Sequence, residues 1–396
     1  MSEAARQHLE WIFRAAVAAC HPSRLVPPHL PERPQGRTVA LALGKAAVPM
    51  AKAVEENWEG PLSGLAVTRH RSAGPLVRLE VMTSGHPVPD EAGLEAARRL
   101  LALAHSAGPD DLVLVLLSGG ASALACLPGE GLSLAEKQRV TSALLRSGAA
   151  IDEINCVRRH LSRIKGGRLA AAAHPARVVT LAISDVVGDR PEDIGSGPTA
   201  HDPTTVADAR AILRRYDVSG PRLGWSESVK SVDGEYRIVA SARDAIDAAA
   251  AQAAALGYAP RIVGYDCTGE ARDVAAVHAQ TVREAEPGTA LISGGELTVT
   301  VRGEGNGGPN QEYVLALALA LQGAGGIHAL AADTDGIDGS GEAAGAFIHP
   351  CTLRPGSEEA LRRNDSGGFF AASGDLFTTS PTGTNVNDLR IILVDP

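Results

Sequence analysis

Aromatic side chains are scarce, Phe, Trp and Tyr together making up 3% of the 396 residues. A core with so few rings has to be filled by Ala, Val, Leu and Ile. The 43 glycines beside them suit a chain that makes many tight strand-to-helix turns. Cysteine is also sparse. Cys20, Cys126, Cys156, Cys267 and Cys351 are far apart, with no C-x-x-C or other metal spacing, which argues against a disulfide framework and suits reduced thiols in a cytoplasmic setting. No apolar run reaches the roughly 18–20 residues of a membrane span; the longest candidate, Tyr313 to Leu321, is far shorter. The opening MSEAARQHLEWIF lacks the basic segment followed by an apolar one that marks a secretory leader. Positive charge is in deficit too. A net charge of −9 with no basic run speaks against a nucleic-acid or anionic-membrane surface, since phosphates are held chiefly by clustered Lys and Arg.

What is present is ordinary for a globular protein: 44% hydrophobic and 21% charged residues, in a length that fits two domains of about 100–200 residues each. Leu9, Ile12, Ala16 and Ala19 fall near helical spacing within residues 2–20, ahead of a proline-rich connector. Strand and helix patterns then alternate. TVALAL (38–43), LAVT (65–68), LVLVLL (112–117) and VVTLAIS (178–184) read as strands, separated by helices from Lys45, from Asp90, around 133–147 and over 151–173. Continuously apolar strands alternating with helices predict an α/β fold, a buried Rossmann-like parallel sheet in the N-terminal domain. Breakers between His201 and Asp233 place the boundary there, giving domains 1–232 and 233–396. A second, smaller α/β set is expected from RIVAS (237–241), IVGYD (262–266), LIS (291–293), HALAA (328–332) and LRIILV (389–394), with LTVTVRG (297–303) as an antiparallel hairpin arm and 310–322 as a helix.

Three strand ends carry clusters of small residues: LALGKAA (41–47), VLLSGGASAL (115–124) and LISGGELTV (291–299). Ligands bind at strand C-termini in a parallel sheet, and glycine there lets backbone amides approach an anion. Ser118-Gly119-Gly120 and Ser293-Gly294-Gly295 therefore read as two anion-binding turns, the alternative being glycines that merely make a turn. Lys45 sits where a strand passes into a helix, placed to aim a cation at a phosphate or carboxylate or else to lie along the surface. Gly44-Lys45-Ala46 is not a Walker loop, and the one G-x-G-x-x-G string, Gly303, Gly305 and Gly308, follows an alternating strand rather than a buried parallel one, so dinucleotide binding there is disfavoured.

Carboxylates gather in two turns. AISDVVGDRPEDIGSGPT (182–199) places Asp185, Asp189, Glu192 and Asp193 after an apolar strand, as hard oxygen ligands for magnesium, as a proton acceptor, or as a solvated loop. ADTDGIDGSGEAAGA (332–346) carries Asp333, Asp335, Asp338 and Glu342 out of register for a calcium loop, the alternative being Asx-turn structure. Between the N-terminal glycine turns and the first acidic turn, NCVRRHLSRIKGGRLA (155–170) brings Arg159, Arg163 and Lys165 to a helix and its glycine break, as a carboxylate or phosphate contact or else a solvated face.

The ordered set GKAA (44–47), GHPVPDE (85–91), LLSGGASAL (116–124), RRHLSRIKGGRLA (158–170), ISDVVGDRPEDIGSGPT (183–199), SGGELTVTVRGEGNGGPNQE (293–312), ADTDGIDG (332–339) and TGTNVNDL (382–389) resembles the glycerate 2-kinase family, whose genes are often labelled hydroxypyruvate reductases. The resemblance spans nearly the whole chain. It implies magnesium-dependent transfer of a phosphoryl group from ATP to the 2-hydroxyl of D-glycerate, in a cleft between a large Rossmann-like domain and a smaller α/β domain. Lys45, Asp185 and Asp189 match the family's lysine and acids and are the expected catalytic residues, the two acids also holding the metal. Ser118, Gly119, Gly120, Ser122, Arg159 and Lys165 are expected to bind substrate and phosphate, and Ser293, Gly294, Gly295, Glu296, Asn310, Glu312, Asp335 and Asp338 the nucleotide. One departure is Pro309, where many relatives have an arginine before N-Q-E. An NAD(P)H-dependent hydroxypyruvate reductase and a non-catalytic ligand-binding relative remain the alternatives, and a homodimer is the expected assembly.

Overall fold

The computed structural model describes residues 1–70, 74–339 and 341–396. Six strands rich in Val, Leu and Ala form the first sheet: β1 (Thr38–Leu43), β2 (Leu62–Arg69), β3 (Glu80–Ser84), β4 (Leu112–Leu117), β5 (Arg177–Ile183) and β6 (Glu235–Ala240). Every residue of β1 and β4 is buried. Strands without a polar face need helices on both sides, which is the environment of a parallel sheet. The order is β3-β2-β1-β4-β5-β6, and the pairings of β1 with β2 and β4, β2 with β3, and β4 with β5 are all parallel. This is the Rossmann strand order, in which the chain reverses direction of travel between β1 and β4.

Two compact units divide the chain: Pro22–Val239, and Met1–His21 together with Ala240–Pro396. The breaker-rich stretch after His201 lies inside the first unit. Within it, Thr205 and Asp208 cap each other's backbone amides at 3.2 and 2.8 Å and start the helix Val206–Arg215. That helix buries Ala209, Ile212 and Leu213 against Val157 and Leu161 of a satellite core, and Tyr216 donates to Glu153 at 2.6 Å. The strand at 237–241, expected to open the second set, instead closes the first sheet as β6, because Tyr236 packs on the first core.

The second unit is built on β7 (Ala259–Gly264), β8 (Gly269–Glu270), β9 (Thr289–Gly295), β10 (Leu297–Thr298), β11 (Ile327–Asp333), β12 (Gly345–Ile348), β13 (Leu376–Phe377) and β14 (Asp388–Val394). Its main sheet runs β13-β12-β11-β14-β9-β7 and is mixed, with β7 and β9 parallel and the other pairings antiparallel. The 297–303 stretch does not form a hairpin arm. Only β10 is extended and bonded, and it pairs in parallel with β8. Beyond it side chains take the ladder's place: Glu270 accepts from the Thr300 amide at 2.6 Å, and Asn364 Oδ1 from the amides of Arg302 and Gly303 at 2.7 and 3.0 Å.

The N-terminal helix Glu3–Ala19 belongs to this second unit. Leu9, Ile12, Phe13 and Ala16 are buried on one face, the Phe13 ring meets Phe377 edge-on at 5.0 Å, and Thr384 donates to the Cys20 carbonyl at 2.8 Å. Phe13→Ala should therefore destabilise the protein by about 3–5 kcal/mol, with hydrogen exchange accelerating in β12 to β14 and leaving β1 to β5 protected. Faster exchange in the first sheet instead would show the helix to be misassigned.

Candidate active site

In the first unit, β1, β4 and β5 lie side by side in register, Leu43 opposite Leu117 and Leu117 opposite Ala182. Their C-terminal ends therefore deliver Lys45, the turn Ser118–Ser122 and the acidic turn from Asp185 to one edge of the sheet. The β1 and β4 turns are bonded to each other. The Lys45 amide donates to the Gly119 carbonyl at 2.8 Å, the Ala46 amide to Ser118 Oγ at 3.0 Å, and the Ser118 amide to the Leu43 carbonyl at 2.9 Å. Gly44, at φ 126°, has no room for a side chain, since a Cβ there would lie 2.2 Å from Ser118 Oγ. A Cβ on Gly120 would meet the His86 ring at 3.1 Å and Lys45 Cγ at 3.2 Å, so those two side chains flank this glycine.

Ser118 is fully buried and its hydroxyl serves the β1 turn, whereas Lys45, Gly120 and Ser122 are half-buried and reach the surface. Asp185 and Asp189 are also half-buried. Their turn folds tightly, with the Val186 amide donating to Ser184 Oγ at 3.3 Å, the Asp189 amide to the Val186 carbonyl at 3.1 Å, and Asp189 itself at φ 51°.

Two of the expected ligand-binding cations face inward. Arg159 is 3% exposed. Its Nη1 donates to Asp193 Oδ1 at 3.1 Å and to the Glu192 carbonyl at 2.9 Å, and its Nε lies 3.0 Å from Asp202 Oδ2. Burial pushes the Asp202 carboxyl up, but Arg159 and the bonds from Thr204 outweigh it and hold the group below its ordinary range. Lys165 donates to the carbonyls of Ser122 and Ala125 at 2.9 and 3.1 Å. These cations pin the glycine turn and the acidic loop from behind. Asn155, Asp193, Ser196 and Asp202, all buried, complete this bracing layer. Their letters alone carry no sign of it, because each partner is distant in sequence.

In the second unit the helix Pro309–Leu321 begins with Pro309 in its first turn, where a missing N–H costs nothing. Its free amides are already taken. Asp338 accepts from the Asn310 and Gln311 amides at 3.1 and 2.9 Å and from Asn310 Nδ2 at 3.2 Å, while Asn310 Nδ2 also donates to Asp388 at 2.6 Å. Burial, with Asp388 adding to it, pushes the Asp338 carboxyl up to about 7. Glu312 is buried between Arg272 at 2.8 Å and Asn364 at 2.9 Å. Ser293 accepts from Arg390 at 3.2 Å, and the Gly294 carbonyl accepts from the Cys267 amide at 3.1 Å. Asp335 Oδ1 accepts from the Ile337 amide at 2.9 Å, and Glu296 is exposed. Asn310, Glu312 and Asp338 thus lock the helix start and its preceding loop. That loop leaves no space for a pyrophosphate at its glycines: Cβ atoms on Gly303 and Gly305 would strike the Arg363 carbonyl at 2.2 Å and Asp365 Cβ at 2.4 Å.

Burial lowers the Lys165 ammonium from its ordinary 10.5 to about 7. Because the unfolded chain then binds the extra proton between about pH 7 and 10.5, this lysine makes the fold more stable as pH rises through that window. Urea unfolding of Lys165→Met should show that rise flattened relative to the parent protein. An unchanged slope would mean that Lys165 stays charged in the fold.

Residues 8–231 match a family model described as a domain of unknown function (DUF4147), and residues 289–388 match the MOFRL family. The chain is 41% identical to D-glycerate 2-kinase of Thermotoga maritima over 97% of each chain. It is 47% identical to an Agrobacterium vitis protein bearing the provisional name hydroxypyruvate reductase, over 98% of this chain and 94% of that one. The crystal structure of Thermotoga maritima glycerate kinase superposes with a TM-score of 0.88 at 38% identity, covering 99% of this chain and 100% of that one. The chain belongs to the glycerate 2-kinase family.

Proposed function

We propose that the protein transfers the terminal phosphoryl group of ATP to the 2-hydroxyl of D-glycerate. The observation that carries this is the meeting, at the point where a Rossmann sheet reverses its strand order, of a half-buried lysine, a glycine turn and a two-carboxylate turn on three adjacent strand ends. Phosphoryl transfer asks little covalent chemistry of a protein. It needs the two reactants aligned and the charge on the transferred oxygens balanced. Lys45 supplies a cation held at the base of its stem by the bond to Gly119, and the turn Ser118–Ser122 receives the hydroxy acid. Asp185 or Asp189 accepts the proton of the attacking hydroxyl. The relatives' names, glycerate 2-kinase at 41% identity among them, support the same substrate pair.

Magnesium fits the donor set. Among the described residues no group of three His, Cys, Asp or Glu side chains has metal-holding geometry. Magnesium is commonly held by one or two carboxylates with waters and substrate phosphates, and Asp185 and Asp189 provide that number. When bound it would neutralise charge on the nucleotide phosphates. Glu296, exposed at the end of the second unit's glycine turn, and the buried Gly295 and Asp335 are the residues we assign to the nucleotide, while Ser293, Gly294, Asn310, Glu312 and Asp338 shape the turns that carry it. The reductase reading has a relative's provisional name behind it and no site to match, since the one dinucleotide-like string packs on its own unit's backbone and the adjoining helix start faces the Asp338 carboxylate. Among the described residues no helix is long and apolar enough to cross a membrane.

Incubation with D-glycerate, ATP and magnesium should yield 2-phosphoglycerate, identified by phosphorus NMR. A folded sample that forms none contradicts the assignment. Lys45→Ala and Asp189→Asn should each lower kcat by about 100-fold or more, the scale for losing a charged group that acts in the transition state, with little change in melting temperature.

A further inference from the structure

Ser122 stands on a hydrogen-bonded relay whose direction can be read from its far end. Asp193 Oδ1 accepts from Arg159 at 3.1 Å and from Asn155 Nδ2 at 3.3 Å. The Asn155 amide is thereby oriented, because its other orientation would set oxygen against oxygen at Asp193 and nitrogen against the donor Arg158. Its Oδ1 accepts from Arg158 Nη1 at 3.3 Å and from Ser196 Oγ at 3.2 Å. Ser196 has one hydroxyl proton, and that bond uses it. Toward Ser122 Oγ, 2.9 Å away, Ser196 therefore only accepts, and Ser122 must donate. The Ser122 proton is thus taken by Ser196, and toward any other partner its oxygen can only accept.

The relay is built at a cost. Ser196 is a non-glycine residue at φ 63°, between Gly195 and Gly197, each at φ 59°, and such a conformation persists only where surrounding contacts over-determine it. Those contacts are present: the Ser196 and Gly197 carbonyls accept from the Gly166 and Gly167 amides at 3.1 and 2.8 Å. Lys165 holds the Ser122 carbonyl from the same side at 2.9 Å. The hydroxyl of Ser122 is thus fixed in place and in polarity, while its residue stays half-buried at the glycine turn.

We propose that Ser122 is a specificity residue that accepts a hydrogen bond from a non-reacting hydroxyl of the acceptor acid, and does not donate to its carboxylate or to a phosphate. Ser196 and Asn155 are the positioning residues that set this polarity. The inference rests on the reading that this turn receives the hydroxy acid. The attacking hydroxyl gives its proton to a carboxylate of the acidic turn, so the group left for an acceptor-only serine is the second hydroxyl of glycerate, on C3. An acid without that hydroxyl leaves the serine's lone pairs unmatched. A site built around a substrate hydroxyl discriminates strongly against the analogue lacking it.

The test compares D-glycerate with D-lactate, which keeps the 2-hydroxyl and lacks the 3-hydroxyl, by calorimetric binding and by steady-state phosphorylation on the full chain. The parent protein should prefer D-glycerate. Ser122→Ala should lower kcat/KM for D-glycerate about 10-fold or more, one hydrogen bond's worth, and change D-lactate by less than about threefold. Ser196→Gly suits the backbone angle and removes the relay, and it should reduce the same preference through KM with kcat nearly unchanged. Equal losses for both acids in Ser122→Ala, or a parent protein that binds the two acids equally, overturns the proposal. Preferential binding of D-glycerate that vanishes in Ser122→Ala, without phosphoryl transfer in the parent, would sink the kinase reading and leave this one standing. Failure of the parent to bind either acid sinks both.

Discussion

The bond from the Lys45 amide to the Gly119 carbonyl, 2.8 Å long, is the contact on which the rest of the candidate site depends. It joins the ends of β1 and β4 at the place where the sheet's order of travel reverses, and adjacent strand ends diverge there unless something ties them. With that bond and the Ser118 hydroxyl beneath it, the lysine stem and the glycine turn become one rigid piece. Gly44 is required because the tie brings Ser118 Oγ to 2.2 Å from where a Cβ would be. β5, in register with β4, then sets the acidic turn beside that piece without further adjustment.

Behind the tie lies a buried layer of charged side chains bonded to the protein's own carbonyls and carboxylates. Arg159 between Asp193 and Asp202, and Lys165 under the carbonyls of Ser122 and Ala125, hold loops whose own residues are mostly Gly, Ser, Pro and Asp. Such loops bury little apolar surface and would otherwise be mobile. Charges without water have to be paired or fully hydrogen-bonded, so this layer is geometrically demanding. That demand is what orients Asn155, Ser196 and at last Ser122.

The strands and the turns at their ends are legible in the sequence because burial on both faces leaves an unbroken apolar run, as in TVALAL and LVLVLL, and because glycine must follow where turns pack closely. Roles are harder to read. Arg159 and Lys165 are of the residue types that bind phosphate, but their partners are distant in sequence, and only the fold shows those partners to be internal carbonyls and carboxylates. Asn310 and Asp338 have the letters of a ligand site and make a helix cap. The strand at 235–240 joins the first sheet rather than the second because local pattern identifies a strand and not its neighbour, and the N-terminal helix carries no mark of the distant Phe377 on which its Phe13 packs. The alternation in 297–303 suggests a hairpin, whereas Glu270 and Asn364 satisfy that backbone with side chains.

In the proposed mechanism the acceptor acid lies at the tied ends of β1 and β4. A crystal structure of the protein soaked with D-glycerate tests it most directly. The acid should lie against Gly120, with its C3 hydroxyl within hydrogen-bonding distance of Ser122 Oγ and its C2 hydroxyl turned toward the Asp185–Asp189 turn. Glycerate ordered at another surface, with the Lys45 and Ser118–Ser122 turns empty, would contradict it.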